Sequence, residues 1–220
     1  MTTTGGAVPR RRGRPPDRRS EETLARILRA ARECFSRAGY AQTSLADIAR
    51  AAGVTPRAIY HYAESKPALF ALAAEQAYER FVDEIATRVL AHDDASGRLH
   101  AYVDVFRVLY QDDPSVVAFV SRAPLEAVRT PELADAVPAE IAAGVPLNEQ
   151  IVRDGVERGE LAAGLDPAGA VALLEVFGAG LTLLAGGDRD ADYLAMLDVL
   201  EHLIDGSLLV EPPDGVDPPP

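Results

Sequence analysis

TSLADIARAAGVTPRAIYHYAESKPAL, residues 43–69, carries the densest run of local structural signals in the chain. Ser44 and Asp47 form an S-x-x-D capping box, each side chain satisfying a backbone N–H that a helix start leaves free, so a helix is expected from Leu45. Leu45, Ile48, Ala49 and Ala52 recur at helical spacing and give it one apolar face, and Gly53 ends it. Thr55 then caps another helix, with Pro56 at the first position, where a missing N–H costs nothing. Ile59 points inward from this helix, and Ser65 caps the next. Two short helices joined by a glycine-containing turn, all within residues 44–62, make a helix-turn-helix arrangement.

Working outward, Ser20 is expected to cap a preceding helix, with Glu21 and Glu22 in its first turn and Gly39 at its end. Its buried stripe is Leu24, Ile27, Leu28, Ala31, Cys34 and Phe35. Longer helical patterns follow: from Ser65 to about Leu90, then to about Gln111, then from the Asp113-Pro114 cap with a bend at Pro124. Thr130-Pro131 starts a short element. Residues 138–158 carry a long helix, Asp166-Pro167 caps one through about Ala185, and a last one runs over residues 190–208. Ala and Leu dominate and β-branched runs are scarce, so the fold class is all-α with about nine helices. The expected division is a helix-turn-helix domain over residues 20–65 and a larger helical domain over 66–208. Residues 1–19 and the Pro-rich 209–220 lack apolar periodicity and are expected to be disordered.

The net charge of −12 conceals a division. Residues 1–66 hold 13 Lys and Arg against 6 Asp and Glu, a balance of +7, while residues 67–220 hold 9 against 28, a balance of −19. A basic segment of that size can meet phosphate while the acidic remainder faces away and keeps the chain soluble. No apolar stretch approaches ~18 uninterrupted residues, so no membrane span is expected. Arginines stand where a signal peptide would be apolar, and the single cysteine, Cys34, excludes an internal disulfide; both fit a cytoplasmic protein. Cys34 reads as a small core residue or as a redox sensor.

On the second helix of the motif, the outward and N-terminal residues are Thr55, Arg57, Ala58 and His61, flanked by Tyr60 and Tyr62. In helix-turn-helix proteins this end enters the major groove, where an arginine can donate two hydrogen bonds to guanine and an alanine methyl can touch thymine. Tyrosine and histidine tips suit phosphate or base acceptors; the alternative for Tyr60 and Tyr62 is a place wedged between the small domain and the fourth helix, and both roles can coexist. Lys66 opposes a helix macrodipole, which a phosphate at that helix start would reconcile; the alternative is a solvated lysine. In the N-terminal segment, Arg12 and Arg14 of R-G-R-P resemble the core of an AT-hook, an arm for A·T-rich minor grooves, or else form a solvated tail.

The pattern T-S-L-A-D-I-A-x-x-A-G-V-T-x-x-x-I-Y-x-Y-x-x-S-K-x-x-L resembles the DNA-binding signature of the tetracycline-repressor (TetR) family of bacterial regulators, over about residues 20–80. The resemblance implies a homodimer, joined through the last two long helices, that binds a palindromic operator, represses transcription, and releases DNA when a small ligand fills the larger domain. It implies further that Thr43 and Ser44 approach phosphate, that Arg57, Ala58 and His61 face bases, and that Tyr60, Tyr62 and Lys66 hold the backbone. Ala46 stands where relatives often place a base-reading polar residue, and Ala63 where many carry an aromatic, which implies weaker readout from the first helix of the motif and looser packing beneath the fourth helix.

In the larger domain, Tyr102, Phe106 and Tyr110 at i, i+4 and i+8, with Phe81, Phe119 and Phe177, form a stripe that either lines a ligand cavity or is plain core. His100 and Arg107 are candidate polar contacts to such a ligand. Leu173, Leu174, Phe177, Leu181 and Leu184 with Leu194, Leu197, Leu200, Leu203 and Ile204 supply apolar surface for the dimer and for the chain's own core. Gly178 and Gly180 would permit close helix approach. The four histidines are scattered, and no HExxH, phosphate-cradling glycine loop or nucleophile elbow occurs, so neither catalysis nor a cofactor is expected. The rival class is a helical adaptor that has lost DNA binding.

Overall fold

The structure, a computed structural model, describes residues 18–137, 145–185 and 190–207. These residues form nine α-helices: α1 (Arg18–Ala38), α2 (Leu45–Ala52), α3 (Pro56–Ile59), α4 (Lys66–Arg88), α5 (Ala95–Asp112), α6 (Pro114–Arg129), α7 (Val145–Glu157), α8 (Pro167–Leu184) and α9 (Asp190–Ile204). A single 3₁₀ turn, Pro131–Leu133, follows α6, and the described residues include no strand. The expected all-α fold is what the chain adopts.

Most helix starts follow from local capping chemistry. Ser44 accepts from the Asp47 N–H while the Asp47 carboxylate accepts from the Ser44 N–H, closing the capping box before α2. Thr55, Ser65, Asp94, Asp113 and Asp166 cap α3, α4, α5, α6 and α8 through their side-chain oxygens. Gly53 closes α2 in the left-handed conformation, φ 65°, which a side-chain-bearing residue would adopt only under strain. Two boundaries differ from expectation. Helix α1 begins at Arg18, so Ser20 lies inside it and caps nothing; its hydroxyl instead meets the Tyr62 hydroxyl at 3.2 Å. The seven residues 138–144, expected to open the long helix before residue 158, lie outside the described residues, as do 1–17, 186–189 and 208–220.

Helix α1 and the loop after it pack on α4 and α6 through one continuous core rather than through a separate seam. Phe35 of α1, Tyr40 of the following loop, Phe70 of α4 and Phe119 of α6 form an aromatic cluster, with Phe70 5.1–5.5 Å from the other three ring centroids. Edge-to-face rings at that separation add to area burial and fix relative orientation. Phe119, grouped with the ligand-lining stripe on the basis of the sequence, therefore belongs to the joint between α1, α4 and α6. Cys34 is buried on α1, and burial pushes its thiol up from the ordinary value, which leaves it a small core residue and not a redox centre.

Beside that cluster, Arg32 of α1 is 3% exposed yet fully engaged. It donates to the Ser115 hydroxyl at 3.0 Å, to Gln76 Oε1 of α4 at 2.7 Å and to Asp113 Oδ2 at 2.6 Å. Burial alone would raise the Asp113 carboxyl, but the Ser115 hydrogen bond and the charges of Arg32 and Arg29 outweigh it and hold it below the usual carboxylate range.

Helices α8 and α9 are apolar and poorly covered. The 18 residues of α8 have a mean hydropathy of 1.7 and only 11% of them are buried. By length and composition alone α8 is apolar enough to cross a membrane. At ~1.5 Å rise per residue it measures about 27 Å, just short of a bilayer's ~30 Å hydrocarbon core, and Glu175 sits near its middle. The structure also divides the ten dimer candidates. Leu181 and Leu197 are buried in the protomer's own core; Leu173, Leu184 and Leu203 are exposed; Leu174, Leu194, Leu200 and Ile204 are half-buried against the core and Phe177 is half-buried on α8. Val176, Leu183 and Val199 join the exposed set. Gly178 is used internally, because a Cβ there would collide with the Tyr102 hydroxyl, whereas Gly180 faces open space.

Candidate nucleic-acid interface

Helix α3 is a single turn, and its C-terminal end tightens into 3₁₀-type bonds, His61 N–H to Ala58 O at 3.2 Å and Tyr62 N–H to Ile59 O at 2.8 Å. Ile59 is wholly buried and anchors the turn, so its neighbours are forced outward. Thr55, Arg57, Tyr60 and His61 are exposed and Ala58 is half-buried. Tyr60, 58% exposed, holds no hydrogen bond among the described residues, and Arg57 pairs with no carboxylate among them. An unpaired arginine and an unburied tyrosine on one short turn offer donors in search of acceptors. Along α1, Arg18, Arg19, Arg26 and Arg37 are exposed without a carboxylate partner among the described residues, interspersed with the exposed Glu21, Glu22 and Glu33.

Other expected contact residues are placed differently. Thr43 is 4% exposed, and its hydroxyl lies 2.8 Å from Gly39 O and 3.2 Å from Cys34 O. It secures the α1–α2 loop, so its hydroxyl is committed within the chain and not offered outward as expected. Ser44 is exposed, but its hydroxyl proton is given to Asp47 Oδ2 at 2.5 Å, so it is a cap first. The Tyr62 hydroxyl reaches back to Ser20, donating to its carbonyl oxygen at 3.2 Å, and ties the end of the α3 turn to α1. Lys66 donates to Tyr40 O at 3.0 Å and Thr43 O at 3.2 Å, with its ammonium 4.1 Å from the Tyr40 ring centroid. Two of its three N–H donors are thereby committed to the loop, and one remains for an external anion. Ala46 is exposed and presents only a methyl, while Ala63 is buried in the core beneath α4. Arg12 and Arg14 lie outside the described residues.

The lysine clamp has a measurable consequence. Lys66→Met keeps the stem that lies on Tyr40 but deletes two charge-assisted bonds at a half-buried site. The expected loss is about 1–2 kcal/mol of folding stability, read by denaturant titration. An unchanged midpoint would show that the two carbonyls are satisfied by water instead.

In the larger domain the six aromatic candidates separate. Phe81, Tyr102 and Phe106 form one contiguous ladder, with Phe106 5.5 Å from Phe81 and 5.3 Å from Tyr102 between centroids. Burial pushes the Tyr102 phenol up to about 12. Tyr110 instead stacks on Tyr193 of α9 at 4.2 Å, Phe119 belongs to the joint, and Phe177 makes no ring contact among the described residues. His100 and Arg107, the candidate polar contacts, fasten α5 to α9: Arg107 to Asp198 at 2.7 Å and Glu201 at 2.8 Å, His100 Nε2 to Asp205 at 2.9 Å. The other His100 nitrogen faces Ser96 O, so both partners are acceptors and only the imidazolium satisfies both; its pKa is raised accordingly, by the Ser96 carbonyl first and then by Asp205. Open clefts among the described residues include one of about 410 Å³ between α7 and α8 (Val152, Val156, Val171, Pro167) and one of about 500 Å³ where α4, α5 and α9 meet (Arg88, His92, His100, Glu201). None of the six aromatics lines either cleft.

A capped two-helix motif with a buried anchor, an outward cationic turn and an all-helical body behind it defines the helix-turn-helix DNA-binding class. Residues 27–73 match the model of the bacterial regulatory proteins of the tetR family. Over 60 residues the chain is 42% identical to the HTH-type transcriptional regulator TtgR of Pseudomonas putida, a match covering 27% of this chain and 29% of that protein. The match thus spans less than a third of the length of that relative. Among solved structures, the fatty acid degradation regulator FadR from Bacillus halodurans is similar with a TM-score of 0.65 and 25% identity, covering 84% of this chain and 96% of that one. The MbdR regulator from Azoarcus sp. CIB shares the fold, with a TM-score of 0.71 at 20% identity over 86% of this chain and 100% of its own. The helix-turn-helix segment of the chain is thus similar to the tetR family of bacterial regulatory proteins, and the chain as a whole shares the fold of these solved regulators.

Proposed function

We propose that this chain is a cytoplasmic transcriptional repressor that binds a two-fold-symmetric operator as a homodimer and is released by a small molecule. Residues 20–65 serve as the DNA-binding unit and residues 66–208 as the dimerisation and effector-binding unit. The observation that carries the reading is the outward turn of α3, where Arg57, Tyr60 and His61 stand exposed and Tyr62 ties the end of the turn to α1. Arg57, Ala58 and His61 read bases; Tyr60, Tyr62 and the spare donor of Lys66 meet phosphate; and Arg12 and Arg14 extend into the neighbouring minor groove. The exposed leucines and valines of α8 and α9 join two copies, which places the reading turns about one DNA turn, ~34 Å, apart.

An effector is supported by the aromatic ladder of Phe81, Tyr102 and Phe106, and by a fold relative, FadR from Bacillus subtilis, solved in complex with stearoyl-CoA. An effector that binds the DNA-incompetent arrangement more tightly releases the operator by that difference in affinity. Nothing in this reading requires catalysis or a cofactor.

The test is in vitro selection of duplex DNA by the full chain, followed by anisotropy titrations at several salt concentrations. A symmetric sequence bound with steep salt dependence is expected. Arg57→Ala should cost about 1–3 kcal/mol against the selected operator and relax preference at one base pair per half-site. Equal losses on every sequence would reassign Arg57 to phosphate. Enrichment of no duplex would favour a helical adaptor.

A further inference from the structure

A buried arginine joins the helix-turn-helix domain to the body of the protein. Arg32 lies on α1, and its three guanidinium nitrogens take three different partners: Gln76 on α4, Ser115 on the first turn of α6, and Asp113, which caps α6. Asp113 is shared between both tasks, its Oδ1 accepting from the Ser115 N–H at 3.1 Å and hydroxyl at 2.6 Å while Oδ2 holds Arg32. The orientation of α1 and the start of α6 are thus specified by one carboxylate.

The edge-to-face rings of Phe35, Phe70 and Phe119 also orient this joint, but a shift among them forfeits only part of each contact. A planar guanidinium with three fixed partners cannot rotate without leaving a buried charge unpaired. A buried ion pair is weak evidence for stability, since well-packed apolar side chains often do as well; its attested use is to select one arrangement among several. Here the arrangement selected is the tilt of α1. Its effect reaches the reading turn because Tyr62 is bonded to Ser20, twelve residues along α1 from Arg32. At ~1.5 Å per residue that lever is about 18 Å, so a tilt of about 10° moves the end of the α3 turn by roughly 3 Å. One base-pair rise is ~3.4 Å.

We propose that Arg32 is a positioning residue that sets the half-site spacing the dimer accepts, by locking the helix-turn-helix domain to α4 and α6 in one orientation. The inference rests on the operator-binding reading above. Arg32 touches no DNA; it acts through where it holds Ser20, Tyr62 and the α3 turn.

The experiment takes the operator selected by the full-length protein and builds a series with one or two base pairs inserted or removed between the half-sites. The unmodified chain is expected to lose at least tenfold in affinity per base pair of altered spacing. Arg32→Met should bind the altered spacings within about threefold of the selected one. Arg32→Lys, which keeps the charge on Asp113 but loses the fork, should fall between. Asp113→Asn retains the α6 cap and should loosen spacing as Arg32→Met does, which keeps the test usable if Arg32→Met folds poorly. Equal weakening on every spacing would mean a merely structural role and overturn the inference, as would discrimination unchanged from the parent chain. Selection of no symmetric sequence would sink the operator reading itself, and this inference with it.

Discussion

Val176→Glu is expected to leave the chain monomeric and to weaken operator binding by about 10²–10⁴-fold. Val176 is 69% exposed on α8 in the protomer, so the substitution meets solvent in the monomer and should change folding stability by no more than about 0.5 kcal/mol. In the proposed dimer the same carboxylate is buried in an apolar contact with Leu173, Leu183 and Leu184 nearby, where an unpaired charge is not tolerated. Affinity then falls because the second half-site loses the high effective concentration supplied by its partner. Light scattering on the eluting protein reads the mass, and anisotropy reads the affinity. A persistent dimer would move the interface away from α8, and a monomer that still binds the operator at full strength would remove the need for one.

Phe106→Ala should cost about 3–5 kcal/mol, the range for deleting a large ring from a packed core. Phe106 is wholly buried, with its ring edge-to-face against both Phe81 and Tyr102. For a chain of this length a loss of that size lowers the melting temperature by about 6–20 °C, read by calorimetry. The measurement also separates the two meanings of the aromatic stripe. A ring that lines a cavity already lacks contacts on one side, so a loss below about 1 kcal/mol would mark Phe106 as a wall of an effector site. A full loss makes it the ladder's structural centre, with Phe81 and Tyr102 left to meet an effector.

Much of the fold was legible in residues 43–69 because the signals there are short-range. A capping box spans three residues, a left-handed glycine closes on residues three and four before it, and Ile59 is inward by helical phase alone. The same locality made Arg57, Tyr60 and His61 readable as exposed. The reading was incomplete where a side chain's partner lies outside the helix on which it was read. Lys66 looked like a phosphate holder because nothing nearby in sequence explains it; its partners are carbonyls 23 and 26 residues upstream. Thr43 looked available, and its hydroxyl is consumed four and nine residues back. Arg32 was passed over although a signal existed. It sits on the buried side of α1 in phase with Leu28 and Phe35, and a charge at such a position demands a buried counterion, which Asp113 supplies from 81 residues away.

The sequence by itself determined the all-helical fold, the placement of most helix caps, the helix-turn-helix motif and the outward face of α3. Each rests on hydrogen bonds and periodicities that span no more than a few turns, so residue type and spacing suffice. Only the tertiary structure decided which leucines of α8 and α9 serve the chain's own core, how the six aromatics divide among a joint, a ladder and a stacked pair, and what holds α1 to α6. Those outcomes depend on which helix faces meet. That is settled by the collective packing of apolar faces and by long-range pairs such as Arg32 with Asp113, neither of which a local pattern encodes.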